Sequence, residues 1–200
     1  VAHMGFVTLG CFMIYVIVKR TNSIPDAFMS LDGAMVQMIS HAFGAGAMFI
    51  GFGMLYERLH TRSIDRFGGI AKTMPVFSAF FMIFAMSNVG LPGTSGFVGE
   101  FLILMSTFKT SIWITAAAAL TLVIGAAYTL LMYKRVFYGP VVHQDVAELK
   151  DVKTLDRVTF VLLAATVFFI GLYPKPLLDI FHASAGHLLE LSMQSKIPFF

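Results

Sequence analysis

The chain is 200 residues long, 58% hydrophobic and only 12% charged, with a mean hydropathy of +0.81. Soluble domains average roughly 45–50% apolar and about 25% charged residues, so this composition excludes an ordinary soluble globule and implies an integral membrane protein. The formal net charge of +3 is small and scattered over connections, which argues against nucleic acid as a partner, since that would call for a clustered basic face.

A helix crossing a bilayer needs about 20 mostly apolar residues. The first expected span covers residues 1–18 and ends at Lys19-Arg20. It begins at Val1 with no basic stretch and cleavage site before it, the pattern of a start within a longer protein rather than of a signal peptide. Cys11 lies alone in this apolar run and can form no intrachain disulfide. A polar connection through Asn22, Pro25 and Asp26 follows, and a second span is expected over residues 33–56, rich in small residues that let neighbouring helices approach closely. It closes on Glu57-Arg58-Leu59-His60-Thr61-Arg62.

The third span is expected to be broken. Residues 75–89 and 97–108 are strongly apolar, but Gly90, Pro92, Gly93 and Gly96 lie between them. Proline lacks a backbone donor and glycine weakens a helix interior, so the helix stops there. In hydrocarbon such a break survives only where it is buried in protein or lines a watery cavity. A fourth span is expected over residues 112–133 and a fifth over 155–173, stopped by Pro174 and Pro176. The polar segment 139–156 between them reads as an exposed connection with one helical turn. Residues 177–191 place Leu177, Leu178, Phe181, Leu188 and Leu189 on one helical face, an amphipathic pattern that fits a helix at the membrane interface, against a partner subunit, or simply packed on its own chain. The expected fold is therefore all-α: a bundle of about five transmembrane helices over residues 1–175, one of them broken between Gly90 and Gly96, followed by an amphipathic segment over 176–200. Lys and Arg concentrate in the connections after the second and fourth spans, which places those connections in the cytoplasm and the C-terminal segment outside it.

Sorting the ionisable residues leaves one acid apart. The other acids fall in expected connections or at helix ends, whereas Glu100 follows the helix break, nine residues before Lys109. At a rise of 1.5 Å per residue that is about 14 Å from the helix end, near the middle of a hydrocarbon core roughly 30 Å thick. A carboxylate there costs several kcal/mol unless it is protonated or paired, which makes Glu100 the first candidate for proton transfer. His41, in the middle of the second span, is the second candidate, because imidazole can take a proton on one nitrogen and release it from the other. His3, ahead of the first apolar run, is the third. His60, His143, His182 and His187 read as solvated or interfacial. No His/Cys cluster has zinc spacing, no glycine-rich turn sits between a strand and a helix, and no axial pattern for haem can be assembled, so no cofactor is expected in this chain.

Several strings carry a resemblance: Ala2-His3-Met4-Gly5-Phe6, Gln37-Met38-Ile39-Ser40-His41, the segment from Leu55 to Arg62, and Gly90-Leu91-Pro92-Gly93 with Phe97-Val98-Gly99-Glu100-Phe101. Together they closely resemble the C-terminal part of the subunit M (chain 4) family of proton-pumping NADH:quinone oxidoreductase, complex I. The related subunits L and N and the Mrp-type cation/proton antiporters commonly carry a lysine shortly after the position of His41, and many place lysine where this chain has Glu100. The resemblance implies an antiporter-like subunit of an energy-transducing membrane, most simply the cell inner membrane of a bacterium. In it Glu100 would be the terminal proton-exchanging carboxylate, with His41 and His3 on the polar axis that leads to it. It also implies that the family's early glutamate and two membrane lysines precede Val1, leaving this chain the exit half of a proton path. NADH, FMN, iron-sulfur clusters and quinone would belong to partner subunits, and the other membrane subunits, above all neighbouring antiporter-like ones, would be its partners. The alternatives are an Mrp-type antiporter subunit or the membrane subunit of a hydrogenase-linked complex. One departure is that the connection over residues 19–32 is longer than the resemblance leads one to expect.

Overall fold

The computed structural model describes residues 2–194, and among these the regular elements are all helical. Helices α1 (Ala2–Thr21) and α2 (Ile24–Leu59) come first, then a 3-10 turn at Ile64–Arg66 and the short α3 (Ile70–Thr73). They are followed by α4 (Pro75–Val89), α5 (Ser95–Phe108), α6 (Ile112–Phe137), the single turn α7 (Gln144–Ala147), α8 (Thr154–Leu172) and α9 (Lys175–Gln194). Among the described residues four helices, α1, α2, α6 and α8, are long and apolar enough to cross a membrane, and α4 and α5 are shorter apolar helices. The chain is thus an all-α, multi-pass membrane protein.

The expected connection over residues 19–32 shrinks to Asn22 and Ser23. Pro25 lies in the first turn of α2, where its missing N–H would have no helical partner anyway. The Ser23 hydroxyl caps that turn by accepting the Asp26 N–H at 3.4 Å. Most of the expected connection is therefore the first turns of one long helix. Asp26 and Asp32 consequently belong to α2 rather than to a connection, so Glu100 is not alone among acids in helices. Asp26 pairs with Lys109 Nζ at 2.7 Å, tying the start of α2 to the end of α5. Helix α6 also runs past the expected stop at residue 133, to Phe137. Lys134 and Arg135 sit in its last turn, where positive charge complements the helix dipole instead of ending the helix.

Helix α2 is the axis of the bundle, packing against α1, α4, α5, α8 and α9. Its buried residues Ser30, Gly33, Gln37, Ser40, Gly44, Ala47 and Gly51 recur at spacings of three and four, which keeps them on one face. All but Gln37 are small, so neighbouring backbones come close. A Cβ added at Gly10 of α1 would lie 2.9 Å from the Ser30 carbonyl oxygen, and one added at Gly33 would lie 2.9 Å from both Leu102 Cβ and Ile103 Cγ1 of α5. The Ser30 hydroxyl donates to the Gly10 carbonyl at 2.8 Å across the same contact. At the other end of the bundle an aromatic core of Phe77, Phe81, Phe84, Phe137 and Phe160 joins α4, α6 and α8, and Tyr133 O–H donates to the Ser78 carbonyl at 2.9 Å.

The segment 139–156 has its expected single turn, yet it is not simply exposed. Val146 and Val152 are buried in the aromatic core. Asp151 accepts the N–H groups of Val76 at 2.8 Å and Phe77 at 3.1 Å. These are amides of the first turn of α4, which have no partners within their own helix. The amphipathic stripe expected in α9 is kept except at Leu188, with Leu177 and Leu178 packed against the cluster of Val36, Val98 and Ile170. Ala185 and Leu189 are buried against α1 and α2, and His182 stacks on Phe28 with ring centroids 5.1 Å apart, while Leu188 is 53% exposed. The last part of the expected segment, residues 195–200, lies outside the described residues.

Because Asp151 caps a helix it does not belong to, replacing it with Ala should cost about 1–2 kcal/mol, with Asp151→Asn retaining most of the stability; thermal unfolding of the detergent-solubilised protein measures both.

Candidate functional site

The site is built where α1, α2 and α5 meet beside the gap between α4 and α5. Helix α4 ends in a glycine stop: Gly90 takes φ +81, its N–H donates to the Ser87 carbonyl at 3.2 Å, and the Leu91 N–H donates to the Met86 carbonyl at 3.0 Å. This paired pattern is the standard way a left-handed glycine closes a helix. Residues 90–94 then turn the chain, with the Thr94 N–H donating to the Leu91 carbonyl at 3.0 Å. The hydroxyls of Ser87 and Ser95 face each other at 3.2 Å across the gap. The turn is seated on α8, where a Cβ at Gly171 would lie 2.5 Å from the carbonyl carbon of Thr94.

Glu100 lies in the second turn of α5 and is 2% exposed. Its Oε1 is 2.9 Å from Nδ1 of His3 and accepts from Nε2 of Gln37 at 3.1 Å. Its Oε2 occupies space that Gly90 leaves open: a Cβ there would be 2.7 Å from that oxygen. The rings of His3 and His41 stack with centroids 5.5 Å apart and planes 28° from parallel. The three candidates from the sequence are therefore brought together, in the order His41, His3, Glu100, although His41 reaches the carboxylate only through His3. Of the residues expected to break the helix, Gly90 closes α4, Pro92 and Gly93 lie in the turn, and Gly96 falls in the first turn of α5, pressed against the Ser87 carbonyl.

The sequence reading missed Gln37 as a site residue. A signal was available, because Gln37 and His41 are four residues apart and so share a helix face. Beside this group is a cavity of about 10 Å³ lined by His3, Gln37, Ser40, His41, Ser87 and Asn88, roughly the volume one water molecule needs. His3 Nε2, Gln37 Oε1 and Ser40 Oγ are buried without a hydrogen-bond partner among the described residues. Among the described residues no group of three or more His, Cys, Asp or Glu is placed to hold a metal ion. The geometry suits proton exchange: a buried acid, an imidazole in direct hydrogen-bond contact, and a second imidazole behind it.

Residues 1–125 match the family model described as NADH:quinone oxidoreductase/Mrp antiporter, transmembrane. The chain belongs to this family. It is 40% identical over 190 residues to NADH-quinone oxidoreductase subunit M of Rhodobacter capsulatus, a match covering 95% of this chain and 35% of that protein. Among solved structures, respiratory complex I of Thermus thermophilus with bound NADH contains a similar chain, with a TM-score of 0.75 and 30% identity, covering 94% of this chain and 37% of that one. A chain of the Mrp complex from a Dietzia species shares the fold with a TM-score of 0.70 at 19% identity, over 81% of this chain and 38% of that one. The chain thus spans about a third of the length of the relatives it matches. In this member of the family, Gly90 both ends a helix and makes room for the carboxylate.

Gly90→Ala therefore combines a strained left-handed residue, worth about 1–2 kcal/mol, with a collision against Glu100. It should lower the unfolding temperature more than Gly46→Ala in α2, where an added Cβ meets nothing within 4 Å.

Proposed function

We propose that this chain is the C-terminal part of subunit M of a proton-translocating NADH:quinone oxidoreductase, carrying the exit half of a proton path in the cell inner membrane. The observation that carries this reading is the contact at 2.9 Å between Nδ1 of partly buried His3 and Oε1 of buried Glu100, set among apolar helices. A proton on His3 Nδ1 has a direct acceptor there. As it passes, the imidazolium becomes neutral imidazole and the carboxylate becomes carboxylic acid, so the net charge of the pair does not change while the proton moves. His41 extends the line by one ring, with the small cavity between the two histidines and the serines as the place through which a proton reaches His3.

In this reading α4 and α5 form one broken span. Each is too short to cross a core of about 30 Å at 1.5 Å per residue, and their break is enclosed by α8 and the Ser87–Ser95 contact. That makes five spans over residues 1–175, with the basic connections after α2 and α6 in the cytoplasm and the segment from residue 176 outside it. The chain performs no electron transfer; NADH, FMN, iron-sulfur clusters and quinone belong to partner subunits, and neighbouring antiporter-like membrane subunits supply the rest of the path. The fold shared with a chain of an Mrp complex supports a second reading, exchange of Na⁺ or K⁺ against protons.

In the intact complex carrying the full-length subunit, Glu100→Gln should cut coupled pumping to about a tenth or less, the effect of losing a group that directly exchanges the proton, with assembly retained. Normal proton-to-electron ratios in that variant would refute the assignment. His41→Ala should give a partial defect in the same assay. Pumping that requires Na⁺ would favour the antiporter reading.

A further inference from the structure

The group that the proton-exchange reading leaves without a task is Gln37. Its side chain is buried at 1% exposure, it is the one large residue in a seam of small ones, and one end of its amide is committed while the other is idle. Nε2 donates to Glu100 Oε1 at 3.1 Å, and Oε1 has no hydrogen-bond partner among the described residues. A primary amide has two donors on one side and an acceptor on the other, and turning it by half a revolution exchanges them. The amide end lies against α5 where that helix has no side chain: a Cβ at Gly99 would sit 2.7 Å from Gln37 Oε1 and 2.8 Å from its Cα. The side of the amide that carries the idle oxygen therefore faces a residue with no side chain.

The arrangement at Glu100 makes such a turn matter. Glu100 Oε1 is the atom that contacts both His3 Nδ1 and Gln37 Nε2. When a proton leaves His3 Nδ1 and an O–H bond forms on Glu100, the new hydroxyl can point back at the imidazole nitrogen it came from. It can otherwise point at Gln37, but only if the amide presents its oxygen. As found, the amide presents N–H groups, which suit the ionised carboxylate and repel the acid O–H.

We propose that Gln37 is a positioning residue for proton exchange at Glu100, its amide donating N–H to the ionised carboxylate and turning to accept the O–H of the protonated acid. This rests on Glu100 being the proton-exchanging group. With the acid proton held by Gln37, His3 Nδ1 is released and can be protonated again, so the proton is not simply handed back. The amide thus satisfies the buried carboxyl in both charge states, which a fixed donor such as a lysine or a fixed acceptor such as a backbone carbonyl does not do.

The test uses the intact membrane complex carrying the full-length subunit, with infrared difference spectra recorded as Glu100 gains and loses its proton. A protonated-carboxyl band should appear in the native complex, sensitive to exchange into D₂O and absent from Glu100→Gln. A side-chain amide carbonyl band should shift together with it. In Gln37→Met, which keeps the length of the side chain without its hydrogen bonds, the carboxyl band should persist at higher frequency, the amide band should vanish, and coupled pumping should fall about tenfold, the size expected for losing a hydrogen bond to a charged group. If the native spectrum shows the Glu100 band with no accompanying amide change, Gln37 is only packing and the proposal is wrong, even where Gln37→Met assembles poorly. If no carboxyl band is lost in Glu100→Gln and that variant pumps normally, it is the assignment of Glu100 itself that fails.

Discussion

A carboxyl group removed from water has to be met by other polar groups, and the bundle is arranged around meeting this one. An unpaired buried carboxylate is costly enough to be neutralised or expelled; at Glu100, a histidine from α1 and a glutamine from α2 converge on one oxygen while a glycine from the end of α4 makes space for the other. Four helices therefore have to arrive within a few ångströms of each other. In a membrane the hydrophobic effect does little to press helices together, so such proximity depends on close packing of small residues. The glycines at 10, 33 and 99 allow it. At each of these positions a Cβ would come within 3.0 Å of an atom of a neighbouring helix.

The break between α4 and α5 has the same logic in backbone form. A helix that stops inside a hydrophobic environment exposes donors and acceptors at both new ends. Here the end of α4 is closed by Gly90 and Leu91, the gap is spanned by the hydroxyls of Ser87 and Ser95, and the turn is pressed against Gly171 of α8. The break costs little because it is enclosed, and it delivers Glu100 one and a half turns into α5, away from the bulk of the apolar core. Charged and polar features of the two ends of the bundle serve assembly instead. Asp26 with Lys109 fastens α2 to α5 at one end, and Asp151 fastens the long connection to α4 at the other.

The outer helices present the opposite chemistry. Much of α6 and α8 is exposed and apolar, Trp113 at 83% and Leu155 at 78% among them, a surface suited to lipid chains or to the apolar faces of neighbouring subunits. Polar contacts are concentrated inside this belt and at the two ends. Inside this shell the polar side chains His41, His3, Gln37 and Glu100 are gathered in one place, and the proposed proton path is built on them.

Membrane residence, the approximate positions of most long helices and the stop at Gly90 were legible in the sequence, because each is a local property: runs of apolar residues and helix-breaking residues. The bounds of α2 were misread because Pro25 and two aspartates look like a connection when only composition is weighed, whereas a serine cap and a proline in the first turn are ways to begin a helix. The resemblance placed His3 on the axis leading to Glu100, but the direct contacts of Glu100 with His3 and Gln37 were not legible, since these lie 97 and 63 residues away and one sequence does not say which helix faces which. Nor could the remote cap from Asp151, or the pairing of His182 with Asp32 at 3.8 Å, be seen before the helices were placed. Local sequence decides where a helix starts, stops and turns apolar. The meeting of particular side chains depends on how closely whole helices approach and at what rotation, and that is settled only when every small residue along their contacts is packed at once.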